Sequence, residues 1–361
     1  MFGVYVHVPF CAARCDYCDF ATWTDRHHLI EAYTAACVTD LERRYGAGGL
    51  PPATSVFFGG GTPSLLPGLL LARILDSIPR AEGAEVTVEC NPESTDEAKL
   101  AAWRQAGVNR LSFGVQSFRP HVLESLGRVH DPALAVTAVA RARAAGFENF
   151  NLDLIYGAAG ESPDDWRATI LAALALEPPH VSAYALTLEP GTPLARQVAA
   201  GAVCGPDDDD QAAKYELADE ILRAAGLGWY EISNWARPGH ECAHNLLYWN
   251  QGEYLGIGCA AHGHTVHADG SARRWWNVRT PERYIAAVLA GHSPEAGSET
   301  LGPAMRSEEA VTLALRTRSG VEVDDDAGLV DAGLAAWRDG RLVLTRRGRL
   351  LANDATGRIT A

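Results

Sequence analysis

Three cysteines near the start of the chain, Cys11, Cys15 and Cys18, have the types and spacing to bind a metal cluster. A C-x3-C-x2-C loop supplies three thiolates to one four-iron cluster, which leaves one iron open for a small-molecule ligand. A zinc knuckle would need a fourth Cys or His nearby, and no second Cys/His pair follows at zinc-finger spacing. A redox-active C-x-x-C pair is the other alternative. We therefore predict a 4Fe-4S cluster on this loop.

The elements that must position this loop alternate along the first half of the chain. Short β-branched or aromatic runs predict strands, and amphipathic segments between them predict helices. The predicted strands cover residues 4–8, 55–58, 85–90, 110–115, 150–155 and 181–186, and the helices cover 29–45, 65–78, 96–106, 132–145 and 163–176. Right-handed crossovers between parallel strands curl such a sheet. Six units predict a partial, open (β/α)6 barrel in an α/β protein.

Glycine-rich or polar residues lie at the ends of these predicted strands, where barrels of this kind bind ligands. They include the GGGTP segment at residues 59–63, Glu89, Gln116 and Asp153. Each alone fits a tight turn or a helix cap, and the Gly-Lys-Ser/Thr ending of a phosphate-binding P-loop is absent. Their common register with the cysteine loop predicts a single site at one rim of the barrel.

The cysteine loop resembles the radical S-adenosylmethionine (SAM) superfamily, in which the open iron binds SAM and reduction yields a 5'-deoxyadenosyl radical. Four segments further resemble the oxygen-independent coproporphyrinogen III oxidase family: YVHVPFC at 5–11, GGGTP at 59–63, FGVQ at 113–116 and DLIYG at 153–157. The resemblance covers most of the chain. It implies that Cys11, Cys15 and Cys18 bind the cluster, and that SAM contacts Tyr5, Gly60, Gly61, Thr62 and Glu89. In the oxidase a second SAM is served by the positions matching Tyr17, Gln116, Arg128 and Asp153.

Two features separate the chain from the oxidase. Phe20 stands where the oxidase has a fourth cysteine, and HNLLYW at residues 244–249 resembles the H-N-x-x-Y-W signature of the HemW family of haem chaperones. A histidine beside two aromatic residues can supply an axial ligand to haem iron and an apolar surface for a porphyrin. The alternative is a core strand with a hydrogen-bonded histidine. The resemblance favours haem binding, with His244 at the haem site.

We place a domain boundary near residues 207–210, whose carboxylates suit the first turn of a helix. Residues 1–205 would form the radical SAM barrel, and 206–361 a smaller α+β haem-related or capping domain. A hairpin is predicted at 266–276. A winged-helix-like end follows, with helices at 307–318 and 326–338 and a strand pair within 341–351. Arg346, Arg347 and Arg349 are expected to face solvent. The spacing of His240, His244, His262, His264 and His267 fits no zinc motif, although a zinc site there is an alternative.

Composition restricts the possible partners and compartment. The net charge of -14 argues against a general nucleic-acid binder. No run of 18 apolar residues and no signal-peptide pattern is present, so we expect a cytoplasmic protein without a transmembrane segment. The other five cysteines are scattered singly and are interpreted as buried apolar residues.

Two functions fit these features. The first is a haem chaperone that binds haem and transfers it to an acceptor protein, carrying a SAM-ligated 4Fe-4S cluster. The second is a radical SAM enzyme that acts on a tetrapyrrole. Phe20 and the His244 segment favour the first, and the intact cluster loop keeps the second open. A zinc-stabilised barrel without radical chemistry is a third interpretation. We expect no conversion of coproporphyrinogen III.

Overall fold

Six parallel strands form the centre of the protein in a computed structural model that describes residues 1–128 and 131–360. They are β1 (Phe2–Val8), β2 (Ala53–Gly60), β3 (Arg80–Cys90), β4 (Arg110–Gln116), β5 (Phe150–Tyr156) and β6 (His180–Ala185). They pair in chain order, each parallel to the next. The predicted strands and the partial (β/α)6 barrel are therefore confirmed.

Helices connect these strands and cover one face of the sheet. They are α1 (Ile30–Gly46), α2 (Gly68–Asp76), α3 (Glu97–Ala106), α4 (Pro120–Ser125), α5 (Ala133–Ala144) and α6 (Pro163–Leu174). Side chains alternate along a strand, and in β1 Val4, Val6 and Val8 join the main core with Tyr33 and Leu41 of α1. The opposite face of β1 carries Tyr5 and His7. Helix packing thus turns the polar positions of the strands toward the barrel interior.

The chain after residue 205 extends this same sheet at both edges. Its strands are β7 (Gly228–Glu231), β8 (Asn234–Ala236), β9 (Glu253–Ile257), β10 (His262–Val266), β11 (Ala272–Asn277) and β12 (Glu295–Leu301), and its helices are α8 (Asp208–Ala224), α9 (Ala243–Trp249) and α10 (Pro281–Leu289); the short helix α7 (Pro193–Ala199) comes before it. Strand β8 pairs antiparallel with β6, and β9 pairs parallel with β1, giving a 12-stranded sheet. Asp207 caps α8 by accepting from the backbone of Asp210. The hairpin predicted at 266–276 is confirmed as β10–β11, and the boundary between 205 and 206 stays a prediction.

A small C-terminal unit has its own core of Leu315, Leu329 and Leu342. It contains α11 (Pro303–Ala314), β13 (Ala335–Arg338), β14 (Arg341–Leu344), α12 (Arg346–Leu350) and α13 (Ala352–Ile359). The helix predicted at 326–338 is wrong, because turns occupy this segment before β13 begins. The strand pair predicted at 341–351 has the wrong bounds: β13 and β14 form it within residues 335–344, and Thr345 then caps α12. None of the described helices is long and apolar enough to cross a bilayer.

Candidate functional site

A cavity of about 650 Å³ lies at the carboxyl ends of the parallel strands, and the three clustered cysteines line it. Eight of the other predicted site residues line the same cavity: Tyr17, Gly60, Gly61, Thr62, Glu89, Gln116, Arg128 and Asp153. Phe20, which replaces the oxidase's fourth cysteine, stands at its edge and is 58% exposed. Tyr5 and His244 are not among the lining residues. The geometry thus brings most of the predicted site together.

Backbone hydrogen bonds hold the cysteine loop against the end of β1. Cys11 donates its N–H to the carbonyl of Trp23 over 3.1 Å, and Trp23 donates to Pro9 over 2.8 Å. The ring Nε2 of His27 lies 3.0 Å from the Cys11 carbonyl. All three thiols are free of disulfides. Cys11 is buried and the other two are partly exposed, so the loop presents three sulfurs to the cavity.

The spacing of the three cysteines in the sequence favours a cluster. Three thiolates on one cubane bind three different irons and do not converge on one point. Within residues 1–128 and 131–360, no three His, Cys, Asp or Glu side chains converge as ligands of a single ion do. The assignment of the cluster to these three cysteines stays a prediction.

Close packing of β2 on this loop requires glycine. A Cβ on Gly61 would lie 2.8 Å from the carbonyl oxygens of Val8 and Phe10 and 3.0 Å from Sγ of Cys11. Gly61 donates to the Val8 carbonyl and Thr62 donates to the Phe10 carbonyl, each over 2.8 Å. Gly61 therefore lets the chain after β2 pack directly against the cysteine loop, where a side chain would have to displace backbone.

Two buried carboxylates face the cavity from neighbouring strands. Oε2 of Glu89 accepts from the Gly60 N–H over 3.2 Å. Burial raises the pKa of Glu89 to about 8, and the nearby Asp153 carboxyl adds to this. Burial likewise raises the pKa of Asp153, against hydrogen bonds that lower it. A cationic ligand between them would favour their ionised forms, so the cavity suits the sulfonium and ammonium groups of SAM.

Asp153 is held by a hydrogen-bond network that sequence reasoning missed. Its Oδ1 accepts from Nδ2 of Asn151 over 2.8 Å, and its Oδ2 accepts from Oγ of Ser112 over 2.8 Å. Nδ1 of His180 lies 2.7 Å from Oδ1 of Asn151, and Nε2 of His180 lies 2.8 Å from the Tyr230 hydroxyl. Ser112, Asn151 and His180 occupy β4, β5 and β6, and Tyr230 lies on β7. Polar residues inside otherwise apolar strand runs were the signal available.

Arg128 supplies the cavity with a positive group. Its Nη1 donates to Oδ1 of Asn91 over 3.2 Å, and its Nε is buried without a hydrogen-bond partner among the described residues. Gln116 has a φ of 64° at a register shift between β4 and β5. Such a conformation is rare for residues other than glycine and concentrates at functional sites. Arg128 therefore keeps one buried N–H donor without a partner among the described residues, beside the strained backbone of Gln116, and this donor suits a carboxylate ligand.

Tyr5 and His244 lie deeper in the barrel, beneath the cavity. His244 is fully buried on α9, which packs against β1 and β2. Its Nδ1 lies 2.9 Å from Oγ of Ser55, and its Nε2 lies 2.9 Å from the Tyr248 hydroxyl. Burial lowers the pKa of His244 to about 3, so the ring is neutral. Both ring nitrogens have a hydrogen-bond partner, as expected for a core histidine. His244 lies on a helix and not on the strand that this alternative assumed. Its role in haem binding stays a prediction.

Comparison with known proteins agrees with this geometry. A profile of the radical SAM superfamily matches residues 5–173. A protein named heme chaperone HemW from Mycobacterium tuberculosis is 46% identical over 368 residues, covering 98% of this chain and 93% of that protein. The Bacillus subtilis protein of the same name is 33% identical over 378 residues, covering 99% and 98%. The solved structure of the Escherichia coli coproporphyrinogen III oxidase HemN aligns with a TM-score of 0.84 at 21% identity, covering 100% of this chain and 90% of that one, and shows the shared fold. The chain belongs to the HemW family of the radical SAM superfamily.

Proposed function

We propose that the protein is a haem chaperone that binds haem and passes it to an acceptor protein. The observation that carries this proposal is the near full-length relationship to proteins named heme chaperone HemW. The HNLLYW segment supports it, because it lies on α9 and ends in Tyr248 and Trp249, which are only partly buried. Phe20 supports it too, since the loop lacks a fourth thiol.

The residues at the cavity would hold a 4Fe-4S cluster and SAM. When bound, this pair supplies one-electron reduction of the SAM sulfonium. Cys11, Cys15 and Cys18 would bind three irons, and Gly60 and Gly61 would let SAM approach the backbone. The carboxylates of Glu89 and Asp153 would balance its positive charge. Tyr17, Gln116, Arg128 and Asp153 would serve a second SAM. Tyr5 would support the first SAM from below, where its hydroxyl lies 3.2 Å from Nδ1 of His7.

His244 can reach haem iron only if α9 rearranges locally. A metal-bound histidine keeps its second nitrogen hydrogen-bonded to an outer partner. Ser55 is already such a partner for Nδ1, so Nε2 is the atom that would bind iron after Tyr248 releases it. The neutral ring is the metal-binding form. Tyr248 and Trp249 would then face the macrocycle.

The second candidate is a radical SAM enzyme that acts on a tetrapyrrole. The cavity favours it, because its cysteines, glycines and carboxylates form a complete ligand set. Under either function the partners are haem or a related tetrapyrrole, with no nucleic acid, in keeping with the charge of -14. We place the protein in the cytoplasm, with the barrel in residues 1–205 and the haem-related part in 206–361.

One anaerobic preparation tests both candidates. We would measure iron and sulfide, titrate haem by its Soret band, and assay coproporphyrinogen III with SAM and a reductant. We expect saturable haem binding beside an intact cluster and no protoporphyrinogen IX. A cluster-loaded protein that binds no haem would contradict the chaperone, and turnover at the rate of an authentic oxidase would establish the enzyme.

A further inference from the structure

A second cavity, of about 270 Å³, lies where the end of α8 and strand β7 meet the C-terminal unit. It shares no lining residue with the cavity of the cysteine loop. Its lining includes one carboxylate, Asp219, and five arginines, which are Arg223, Arg318, Arg338, Arg346 and Arg349. The whole chain has a net charge of -14, so this concentration of positive charge runs against the overall balance.

Asp219 does not neutralise the cavity. It is fully buried and accepts from Nε of Arg346 over 2.6 Å, from Nη1 of Arg349 over 3.1 Å and from Nε1 of Trp235 over 3.0 Å. Its lone pairs are therefore largely occupied. One carboxylate balances one of these two guanidinium charges and leaves the other in excess.

Of the three remaining arginines, two add to this excess, Arg223 and Arg338. Arg318 forms an ion pair with Glu241, and Arg223 lies 3.9 Å from the already engaged Asp219. Arg338, at the end of β13, is exposed and has no ion-pair partner in the described part of the chain. These side chains come from α8, the segment after α11, and β13, so the fold gathers them from distant parts of the sequence.

Two donors in the cavity wall are left without partners. Arg349 is 7% exposed, and its guanidinium stacks 4.4 Å over the Trp229 ring. Nε of Arg349 and Nε1 of Trp229 are buried with no hydrogen-bond partner among the described residues. The expectation that Arg349 faces solvent is therefore wrong, because Trp229, Tyr215 and Asp219 bury it. Arg347 on the same helix is exposed and lines neither of the two cavities.

We propose that this cavity binds a compact dianion that carries either a phosphate group or two carboxylates. Guanidinium groups bind both kinds of oxyanion through paired N–H donors. The cavity is smaller than the roughly 300–1,000 Å³ of sites for drug-sized ligands, so the ligand is small. This inference is independent of haem binding.

Isothermal titration calorimetry on the anaerobically prepared full-length protein tests this proposal. Inorganic phosphate and succinate are titrated separately at pH 8, where both are dianions, with sodium chloride holding the ionic strength constant. We expect saturable binding of at least one. Arg338→Gln should weaken anion binding about tenfold, because it removes a guanidinium from the cavity lining. The side chain is exposed, so its loss does not disturb Asp219. Arg347→Gln, an equal charge change on α12, should leave the affinity within about twofold.

The two anions identify the source of the ligand. Saturation by phosphate alone means a phosphorylated ligand, saturation by succinate alone means a dicarboxylate, and both together mean a general oxyanion site. Absence of saturable binding to either anion would overturn the proposal. Equal effects of Arg338→Gln and Arg347→Gln would also overturn it, since binding would then follow net charge and not this cavity.

Discussion

Gly61→Ala should lower the amount of cluster that the protein holds. The added Cβ would meet two backbone carbonyl oxygens at 2.8 Å and Sγ of Cys11 at 3.0 Å, and backbone cannot move aside cheaply. Gly61 has no left-handed φ, so the effect comes from space alone. Overpacking of this kind costs about 1–3 kcal/mol. This cost is comparable to the net free energy of the two hydrogen bonds that join residues 61–62 to the loop. If opening the loop relieves this strain, its closed fraction falls by about 5- to 150-fold relative to the open form.

Iron and sulfide per chain after identical anaerobic reconstitution measure this effect, together with thermal unfolding. Gly46→Ala is the matched control, because it makes the same chemical change at the end of α1 where no atom lies within 4 Å. We expect Gly61→Ala to hold less iron than wild type and Gly46→Ala to match wild type. Full iron content with unchanged unfolding in Gly61→Ala would refute the idea that β2 clamps the cysteine loop.

Three further predictions follow from the site and its surroundings. Replacing Cys11, Cys15 and Cys18 together with Ala should abolish iron and sulfide binding, and unaltered iron content in the triple variant would disprove their role. Asn151→Ala should weaken SAM binding measured by equilibrium dialysis and lower the free energy of unfolding by about 1–3 kcal/mol, because Asp153 and His180 lose a buried partner; unchanged affinity would show that the network does not position Asp153. Burial raises the pKa of Glu231 to about 7 from 4.5, so the folded state binds its proton more tightly and stability should fall as pH rises from about 4.5 to 7. Glu231→Gln should flatten denaturant-measured stability in that window, and an unaltered pH profile would count against it.

The six barrel strands could be predicted because apolar runs and their helical spacers follow the sheet and helix periods. The cavity residues could be predicted because carboxyl ends of parallel strands meet at one edge. The depth of a side chain in the barrel could not be predicted. Tyr5 faces the barrel interior but lies below the cavity, where its hydroxyl is hydrogen-bonded to His7. Whether a histidine is free to bind iron also depends on contacts distant in sequence, such as Ser55 with His244.

The C-terminal unit shows where periodicity misleads. Val330 and Leu334 have the i, i+4 spacing of a helix, yet both pack in the small core on a segment that is not helical. Gly328 and Gly333 adopt φ values of 74° and 70°, which interrupt a helix. Arg349 was assigned to solvent because a basic run usually is exposed, but Trp229 and Asp219 come from other elements and bury it.

Haem titration of His244→Ala beside wild type, with iron and sulfide measured on the same samples, tests the proposed chaperone function most directly. His244 lies on α9 and the cluster ligands lie on the loop after β1, so the two losses should be separable. We predict that His244→Ala keeps its cluster and loses haem affinity with a changed Soret band. Unchanged haem affinity and an unchanged Soret spectrum in a cluster-loaded His244→Ala protein would contradict the account.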